Sequence, residues 1–417
     1  MSTAAPRVLE LAEFKPLALA PEELSAELAA TIRVRYSDQI AIEQPWPGVE
    51  SRWQLTALGW VGFIPLSSTL VLALRPKVPL QNLFGMLEYA YQTELRKLDD
   101  DKALIECADL KEFYTRLAHV LARRVLDRER KGLHRAYVGR CERLPVVAGR
   151  PDIQRSLSRP WDVQLECHFE EHTPDVEDNQ VLAWTLRRVA QSGLCTGQSG
   201  AAVRHAWRGL QGSVTLRPFR PAECLGRTYH RLNRDYEVLH SLCRFFLENS
   251  GPAHSCGGHT FFPFLVDMAQ LFERFVAEWL RKHLPPEYEL RGQWHVPLSE
   301  QERLQFIIDL VLCDRRTRKP LCVLDTKYKK EEDGTAPDDI AQVMAYAATQ
   351  GCKRAVLIYP SGQPKSLTKL GHDVRRCAFD LSGDLENAGQ AFLNDLLQFV
   401  AVELGPRATS VVGNKGL

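Results

Sequence analysis

The 417-residue sequence lacks any apolar run long enough to span a membrane. It also lacks an excess of either charge, because 53 Lys and Arg residues against 52 Asp and Glu residues leave a net charge of +1. Attraction to nucleic acid therefore has to come from local basic patches or from a partner. Residues 1–14 contain no charged leader followed by a long apolar core, so we expect a cytoplasmic protein without a signal peptide.

The sequence has no disulfide framework. Its 11 cysteines are odd in number and irregularly spaced, and several lie inside apolar runs, which is typical of reduced thiols in a cytoplasm. His254, Cys256 and His259 stand close together, but their spacing matches no standard zinc module, and a structural zinc normally needs four ligands. We therefore favour a loop without zinc for this segment.

A phosphate-binding loop of the form G-x(4)-G-K-[S/T] is absent as well. If GTP or ATP hydrolysis drives the work of this protein, a second chain has to supply it. What is present is ordinary for a globular protein. Hydrophobic residues make up 45% and charged residues 25% of a chain that is long enough for two or three domains.

Two apolar runs in the C-terminal half of the chain predict a buried β-hairpin. Residues 306–313 and 321–328 are rich in β-branched and aliphatic side chains, and the charged segment between them ends at Pro320. The polar exceptions are Asp309 in the first run, and Asp325 and Lys327 in the second.

These three residues define a candidate catalytic site. Because strand side chains alternate with a period of two, Asp325 and Lys327 point to one face, where strand pairing can bring Asp309 beside them. Two buried carboxylates repel each other, and a divalent cation relieves that repulsion. Oxygen ligands favour magnesium or manganese, and a nearby lysine can orient a water or stabilise charge on a phosphate. The alternative is an ordinary hairpin in which Lys327 forms a salt bridge with one acid.

The segment after the hairpin predicts a helix over residues 338–351, with Gly351 as its end. Gln342 and Tyr346 are four residues apart, so they share one face of this helix. They either contribute to the site or, in the plainer interpretation, Tyr346 belongs to the core and Gln342 is exposed.

Upstream, residues 262–284 predict another helix from their apolar periodicity. Glu273 on this helix is a candidate supplementary acid, with Asp267 as the second choice. A solvated glutamate paired with a nearby base explains Glu273 equally well. With strands predicted at 288–296 and 354–359, the order helix, three strands, helix, strand describes an α/β arrangement.

The spacing D-x(15)-D-x-K resembles the core of PD-(D/E)xK nucleases, and the following Q-x(3)-Y resembles their RecB-like branch. Further segments, in consistent order across residues 50–360, resemble the McrC family, the nuclease subunits of McrBC-type modification-dependent restriction systems. These segments are LRPKVPLQNLFGMLEY (74–89), RKGLHRAY (130–137), VAGRPDI (147–153), DVEDN (175–179), RLNRDY (231–236) and QLFERFV (270–276). The family commonly has proline directly before the first aspartate, whereas this sequence has Ile308.

The resemblance implies an endodeoxyribonuclease that requires Mg²⁺ (or Mn²⁺). It assigns metal binding to Asp309, Asp325 and the carbonyl of Thr326, and activation of the attacking water to Lys327. The supporting residues are Glu273, Gln342 and Tyr346.

The resemblance also implies partners. It predicts a McrB-like AAA+ GTPase ring whose hydrolysis this chain stimulates, and double-stranded DNA with a modified base as substrate. It leaves room for dimerisation through the nuclease domain. Two alternatives stay open, namely a non-cleaving scaffold that activates the ring and a stand-alone RecB-like repair nuclease.

The expected fold is an α+β N-terminal region, with a β meander at 55–77 and helices, followed by an α/β PD-(D/E)xK restriction-endonuclease-like domain. Four consecutive regions are expected: partner docking and GTPase activation in 1–165, a helical connection in 166–260, the nuclease core in 261–403 and a flexible tail in 404–417.

Several other segments carry weaker expectations. The densest basic run, residues 123–143, is compatible with a solvated face and with contacts to DNA or an acidic partner. Arg75 and Lys77 are compatible with a phosphate contact or with a solvated strand end. Irregular structure is expected at 192–227 and 361–384, a short helix from Pro21, and a strand at 32–42.

Overall fold

The computed structural model describes residues 7–44, 52–91, 107, 109–158, 161–251, 254–256, 259–299, 304–329, 336–369 and 371–401. Within these ranges the chain is a mixed α+β protein with several sheets. The helices are α1 Ala26–Arg35, α2 Leu80–Ala90, α3 Leu110–Lys131, α4 Ile153–Leu157, α5 Glu177–Gln191, α6 Gly197–Gln211, α7 Tyr236–Glu248, α8 Met268–His283, α9 Pro337–Thr349 and α10 Leu385–Ala401. None of these helices is long and apolar enough to cross a membrane.

The strands of the described ranges form five sheets. They are β1 Arg7–Ala12, β2 Leu17–Leu19, β3 Ile40–Glu43, β4 Trp53–Ala57, β5 Trp60–Pro65, β6 Leu70–Arg75, β7 Ala136–Leu144, β8 Arg150–Pro151, β9 Leu165–Thr173, β10 His254–Cys256, β11 His259–Phe261, β12 Phe264–Asp267, β13 Tyr288–Ser299, β14 Leu304–Asp314, β15 Pro320–Thr326, β16 Arg354–Tyr359, β17 Lys365–Lys369 and β18 His372–Ala378. The sheet orders are β1-β6-β5-β12, β2-β4-β3, β7-β9-β8, β10-β11 and β13-β14-β15-β16-β18-β17.

The chain divides into two compact units that are interleaved along the sequence. The first contains Met1–Leu9, Gly62–Ala73 and Tyr91–Leu265, and the second contains Glu10–Val61, Leu74–Ala90 and Val266–Leu417. The four consecutive regions expected from the sequence were defined by function, so the two compact units do not test them. They stay predictions, and the tail at 404–417 lies outside the described residues.

The second unit is built on the six-stranded sheet. Strand β15 pairs antiparallel with β14 and parallel with β16, and β16 pairs parallel with β18. Every residue of β16 is buried, as expected for a central strand covered on both faces. Helix α9 packs against this sheet, with Val343 and Ala347 in one core cluster with Val323, Ala355 and Leu357. The predicted hairpin and the helix and strand that follow it are therefore confirmed.

The first unit combines α3, α5, α6 and α7 with the sheet β7-β9-β8. Its helices present long buried stripes, such as Leu117, Leu121 and Val125 on α3. Asp109 caps α3 by accepting a hydrogen bond from the backbone N–H of Glu112 at 2.7 Å. The apolar stripe of α3 is buried in the core of this unit.

The irregular structure expected at 192–227 is wrong in its first half, where α6 forms. Glycines misled the prediction, because glycine is a poor helix former. Here two of them permit close packing instead. A Cβ atom at Gly200 would lie 2.5 Å from the Cys195 carbonyl oxygen, and one at Gly209 would lie 2.4 Å from the Glu129 carboxylate of α3. Gly200 is therefore required, because the atom it meets is backbone, whereas at Gly209 the flexible Glu129 side chain can move away.

The irregular structure expected at 361–384 is also wrong, because β17 and β18 occupy most of it. Strand β17 forms the edge of the six-stranded sheet, where polar side chains such as those of Lys365 and Ser366 are tolerated. In β18 only two residues are buried, Val374 and Cys377. Neither segment therefore shows the apolar alternation from which strands are predicted.

Smaller corrections concern the ends of elements. Residues 32–35 belong to α1, whose N-cap is Ser25, so the helix begins after the predicted start at Pro21, and only β3 is extended in 32–42. The helix expected from residue 262 begins at Met268, after strand β12. The β meander at 55–77 is confirmed as three strands, although β4 belongs to a different sheet from β5 and β6.

The segment with His254, Cys256 and His259 forms a small antiparallel pair, in which Cys256 is opposite His259. The side chains of these residues and the expected loop at 257–258 lie outside the described part of the structure. The preference for a loop without zinc thus stays a prediction.

Candidate functional site

The two aspartates meet on neighbouring strands. Leu310 of β14 pairs with Leu324 of β15, so the next residues along this register, Asp309 and Asp325, stand opposite each other. The Thr326 backbone N–H donates to Oδ2 of Asp309 at 3.0 Å, and the Thr326 hydroxyl lies 3.3 Å from the same oxygen. Strand β15 therefore holds both carboxylates, one as its own side chain and one through Thr326.

Lys327 connects the acids to helix α9. Its ammonium lies 2.8 Å from Oδ2 of Asp325 and donates to Oε1 of Gln342 at 3.0 Å. Gln342 in turn donates from Nε2 to the hydroxyl of Tyr346 at 2.7 Å. The structure thus brings together Asp309, Asp325, Lys327, Gln342 and Tyr346. The ring of Tyr346 packs in the core, as the plainer interpretation expected, but its hydroxyl also belongs to this chain of contacts.

Burial disfavours the charged acids. It raises the pKa of Asp325 to about 6, and the nearby charge of Asp309 adds to the effect while Lys327 opposes it. Burial also raises the pKa of Asp309, against the opposing hydrogen bond from Thr326 and the charge of Lys327. For Lys327, burial acts against the charged form, but the ion pair with Asp325 outweighs it and the pKa rises. The site therefore combines a lysine that favours its charged form with two carboxylates. The single ammonium does not fully offset the cost of burying their negative charges.

A divalent cation fits this donor set. Asp325 is only 1% exposed, and although its Oδ2 contacts the ammonium of Lys327, it takes part in no hydrogen bond of suitable geometry. Among the described residues, no group of three or more His, Cys, Asp or Glu side chains is arranged to hold a metal ion. Mg²⁺ is commonly bound by one or two carboxylates, with waters and substrate phosphates completing its shell, so two aspartates suffice as protein ligands.

Glu273 and Asp267, the two candidate supplementary acids, differ in their surroundings. Asp267 caps α8 by accepting hydrogen bonds from the N–H groups of Ala269 and Gln270 at 2.9 and 3.1 Å, so it has a structural role. Glu273 is half-buried on the same helix. The preceding Phe272 lies 6.0 Å from Tyr328, between ring centroids, so α8 runs close to the end of β15. The supporting role of Glu273 stays a prediction.

Sequence reasoning missed a second ion pair beside the site. Lys329 contacts both carboxylate oxygens of Asp339 at 2.7 and 2.8 Å, and Tyr359 donates to Asp339 at 3.3 Å. Asp339 lies in the first turn of α9, three residues before Gln342. The repeated lysine in D-x-K-x-K is the sequence signal from which this contact could have been suspected.

Sequence reasoning also missed three residues that we call the anchor cluster: Glu13, Lys77 and Tyr328. Glu13 accepts hydrogen bonds from the Lys77 backbone N–H at 2.9 Å and from the Tyr328 hydroxyl at 3.2 Å. The Lys77 ammonium donates to the Lys329 carbonyl at 2.7 Å and lies 4.4 Å from the centroid of the Tyr328 ring. Lys77 is exposed just after the end of β6, as the solvated interpretation expected, and Arg75 pairs with Glu10, while a contact with phosphate stays a prediction.

Glu13→Gln is expected to stabilise the protein at neutral pH. Burial raises the pKa of Glu13 from 4.5 to about 6 in a side chain that is 3% exposed, so ionisation destabilises the folded state. The stability cost is absent below the unfolded-state pKa and complete above about pH 6, where roughly 1.5 pKa units correspond to about 2 kcal/mol. Urea unfolding at pH 7.5 and at about pH 4 should show the gain at the higher pH alone. An equal gain at both values would contradict this assignment.

In the first unit, segments that carry the family resemblance converge on Asn179. Its side-chain amide donates to the carbonyls of His134 and Pro174 at 2.8 and 2.6 Å, which lie just before β7 and just after β9. Tyr236 donates to Oδ1 of Asn179 at 2.6 Å and accepts from the His134 N–H at 3.0 Å. Asn179 thereby fixes one end of the β7-β9 pair, where β7 begins and β9 ends, to the helices.

Asn179→Leu is expected to lower the free energy of unfolding by about 2–4 kcal/mol, because it removes three hydrogen bonds, two to part-buried carbonyls and one from the buried Tyr236 hydroxyl. The measurement is the urea unfolding midpoint of the full chain. Gln191→Leu, at an exposed position on the same helix, is the matched control. Equal midpoints for the two variants would show that the Asn179 network contributes little.

The basic run at 123–143 is largely neutralised within the unit. Four of its arginines form ion pairs: Arg128 with Asp235, Arg130 with Asp127, Arg140 with Glu171 and Arg143 with Asp162. These pairs support the interpretation as a structured, solvated face for the four side chains.

Comparison with known proteins identifies the family of this chain and several similar proteins. The sequence profile of the family described as "McrBC 5-methylcytosine restriction system component" matches residues 55–360. A curated relative, the type IV methyl-directed restriction enzyme EcoKMcrBC of Escherichia coli strain K12, is 23% identical over 270 residues, covering 61% of this chain and 75% of the relative.

Two solved structures from Thermococcus gammatolerans are similar. A chain of the refined half-complex from the tetradecameric assembly of McrB AAA+ hexamers with bound McrC has a TM-score of 0.56 at 17% identity, covering 94% of this chain and 100% of that chain. A chain of the cryo-EM structure of the McrBC complex has a TM-score of 0.42 at 17% identity, covering 69% and 90%. The first likeness shows a shared fold. The profile match establishes that this chain belongs to the McrBC 5-methylcytosine restriction system component family, as the sequence motifs indicated.

Proposed function

We propose that this chain is the magnesium-dependent DNA endonuclease subunit of a McrBC-type restriction system, with a PD-(D/E)xK site on β14 and β15. The observation that carries the proposal is the pair of facing carboxylates, Asp325 buried and Asp309 half-buried, with one ammonium beside them. A simple salt bridge would pair Lys327 with Asp325. It would leave Asp309 as a second carboxylate whose pKa burial raises.

In this proposal Asp309 and Asp325 hold the metal, with the Thr326 carbonyl as the third protein ligand. A divalent cation there would supply Lewis-acid stabilisation of charge on the scissile phosphodiester. Lys327 orients the attacking water and stabilises negative charge that develops on the phosphate. Gln342 holds the lysine ammonium from the side of α9, and Tyr346 holds Gln342.

We infer that the partner is a McrB-type AAA+ ring and that the sheet β7-β9-β8 with α4 forms the docking surface. Large apolar side chains are unusually exposed there. Trp161 is 79% and Val163 is 88% exposed, and the others are Tyr137, Val146, Val147, Ile153 and Leu157. A segment with so many exposed apolar residues is typical of a protein interface. These exposed residues lie within 1–165, where docking was predicted from the sequence, although β9 extends to Thr173.

The variant Trp161→Ser with Val163→Ser is expected to reduce stimulation of the partner's NTPase by more than about tenfold, since interface aromatics commonly contribute 2 kcal/mol or more. Folding should be unaffected because both side chains are already in solvent. Val34→Ser, at an exposed position on α1, is the matched control. Stimulation equal to that of the control would remove this surface from the docking site.

The reconstituted reaction tests the proposed function. The full chain, a McrB-type partner NTPase, magnesium and GTP or ATP are combined with methylated or unmethylated plasmid, and each component is omitted in turn. Cleavage of methylated plasmid that requires all components supports the proposal. NTPase stimulation without any cleavage would favour the non-cleaving activator. Cutting of linear but not closed DNA by the chain alone would favour a repair nuclease.

A further inference from the structure

We propose that Glu13 and Lys77 are positioning residues for Lys327 and that they act through Tyr328. The inference rests on the proposed function, in which Lys327 acts at the phosphodiester. It assigns a role to a residue that is 315 positions away in the sequence from the tyrosine that it contacts.

The backbone leaves the sheet at this point. Thr326 is the last residue of β15, and the last backbone hydrogen bond to β16 runs from the Lys327 N–H to the Ile358 carbonyl at 2.8 Å. At the next two residues, Tyr328 and Lys329, side-chain contacts hold the chain. The ammonium of Lys77 binds the Lys329 carbonyl, and Glu13 binds the Tyr328 hydroxyl.

Consecutive residues of an extended chain point in opposite directions. Lys327 contacts Asp325 and Gln342, whereas Tyr328 contacts the other two residues of the anchor cluster, Glu13 and Lys77. Fixing the ring and hydroxyl of Tyr328 therefore fixes the backbone from which the Lys327 side chain extends. The ring is held on its face by the Lys77 ammonium, at 4.4 Å from the centroid, and at its hydroxyl by Glu13.

Burial of the Glu13 carboxylate destabilises the folded protein. Glu13 is nearly fully buried, and its second oxygen, Oε1, has no hydrogen-bond partner. Its charge opposes folding at neutral pH, as the raised pKa indicates. The contribution of Glu13 is then that its carboxylate accepts charge-assisted hydrogen bonds from the Tyr328 hydroxyl at 3.2 Å and from the Lys77 backbone N–H at 2.9 Å. The charge of Glu13 therefore lowers the stability of the folded protein but helps to hold Tyr328 in place. Experiments can separate these two effects.

The first test measures single-turnover cleavage by the full chain assembled with its NTPase. Tyr328→Phe removes only the hydroxyl, and Glu13→Leu removes the acceptor. Each is expected to slow cleavage by about 10-fold to 100-fold, the range seen for small misplacements of a catalytic group. The double variant should be no slower than either single variant, because both remove one contact. Glu13→Gln keeps an acceptor oxygen and should restore most of the rate, and Glu10→Leu should match the wild type.

The second test does not depend on cleavage. Acetylation of Lys327 is followed by mass spectrometry after chymotryptic digestion, with exposed Lys353 as the internal reference. Loss of the anchor is expected to raise the labelling of Lys327 several-fold in Tyr328→Phe and leave the reference unchanged. If the wild type cuts no DNA, the proposed function fails, and this measurement still decides whether Lys327 is positioned.

Two results would overturn the inference. One is wild-type labelling of Lys327 in both Tyr328→Phe and Glu13→Leu. The other is increased labelling of Lys327 and Lys353 together, which would show general loosening of the fold. NTPase stimulation equal to that of the wild type, together with slower cleavage, supports a local effect on Lys327.

Discussion

Asp325→Asn is expected to reduce DNA cleavage by roughly 10³-fold or more while the chain still binds and stimulates its NTPase. The substitution keeps the shape of the side chain and removes one of the two charges that would hold a divalent cation. Loss of about 4 kcal/mol of charge stabilisation at the phosphate corresponds to this factor. Single-turnover cleavage and NTPase rates are measured on the same preparation.

Asp338→Asn provides the matched control for this variant. Asp338 is an exposed acid in the first turn of α9, next to Asp339 in the sequence. We expect wild-type cleavage from the control. If Asp325→Asn cuts DNA at the rate of the control, the acid pair is not the catalytic centre. If Asp325→Asn fails to fold, the structural salt bridge becomes the better account, and Asp309→Asn then separates the two cases.

Lys327→Met is the second large effect, with an expected loss of about 10² to 10³ in the cleavage rate. Methionine preserves most of the length and removes the ammonium that contacts Asp325 and Gln342. Because the carboxylates remain, binding of Mn²⁺ should persist and can be measured by calorimetry. Lys353→Met, at an exposed position, controls for loss of a positive charge.

The two variants are expected to differ in their binding of a divalent cation. Asp325→Asn should lose both cation binding and cleavage, whereas Lys327→Met should lose cleavage alone. Equal loss of cation binding in both variants would mean that Lys327 organises the acids rather than the chemistry. Normal cleavage by Lys327→Met would contradict its assigned role in activating water.

The candidate site was predictable because it interrupts a regular pattern. Asp309, Asp325 and Lys327 stand out in apolar runs with a strand period, and pairing of consecutive strands follows from their short connection. Helical spacing predicted that Gln342 and Tyr346 share one face of a helix, and the resemblance to RecB-like nucleases assigned them to the site. Local patterns of this kind survive in the folded protein because they determine which face of an element is buried.

The anchor cluster and the Asn179 network were not predictable in the same way. Glu13 contacts Tyr328 across 315 residues, and no periodicity in one sequence encodes such a contact. Helix α6 was missed for a related reason. Its glycines are unfavourable for an isolated helix, but Gly209 leaves room where the helix lies against the Glu129 side chain of α3. In each case tertiary packing decides the outcome, and the local sequence does not report it.

The proposed mechanism requires a divalent cation between Asp309 and Asp325. Anomalous diffraction from crystals of the full chain soaked in Mn²⁺ tests this requirement directly. The predicted result is a manganese peak between the two carboxylates in the wild type that is absent in Asp325→Asn crystals. A wild-type protein that cleaves DNA but shows no peak at this position, or shows one elsewhere, would contradict the account.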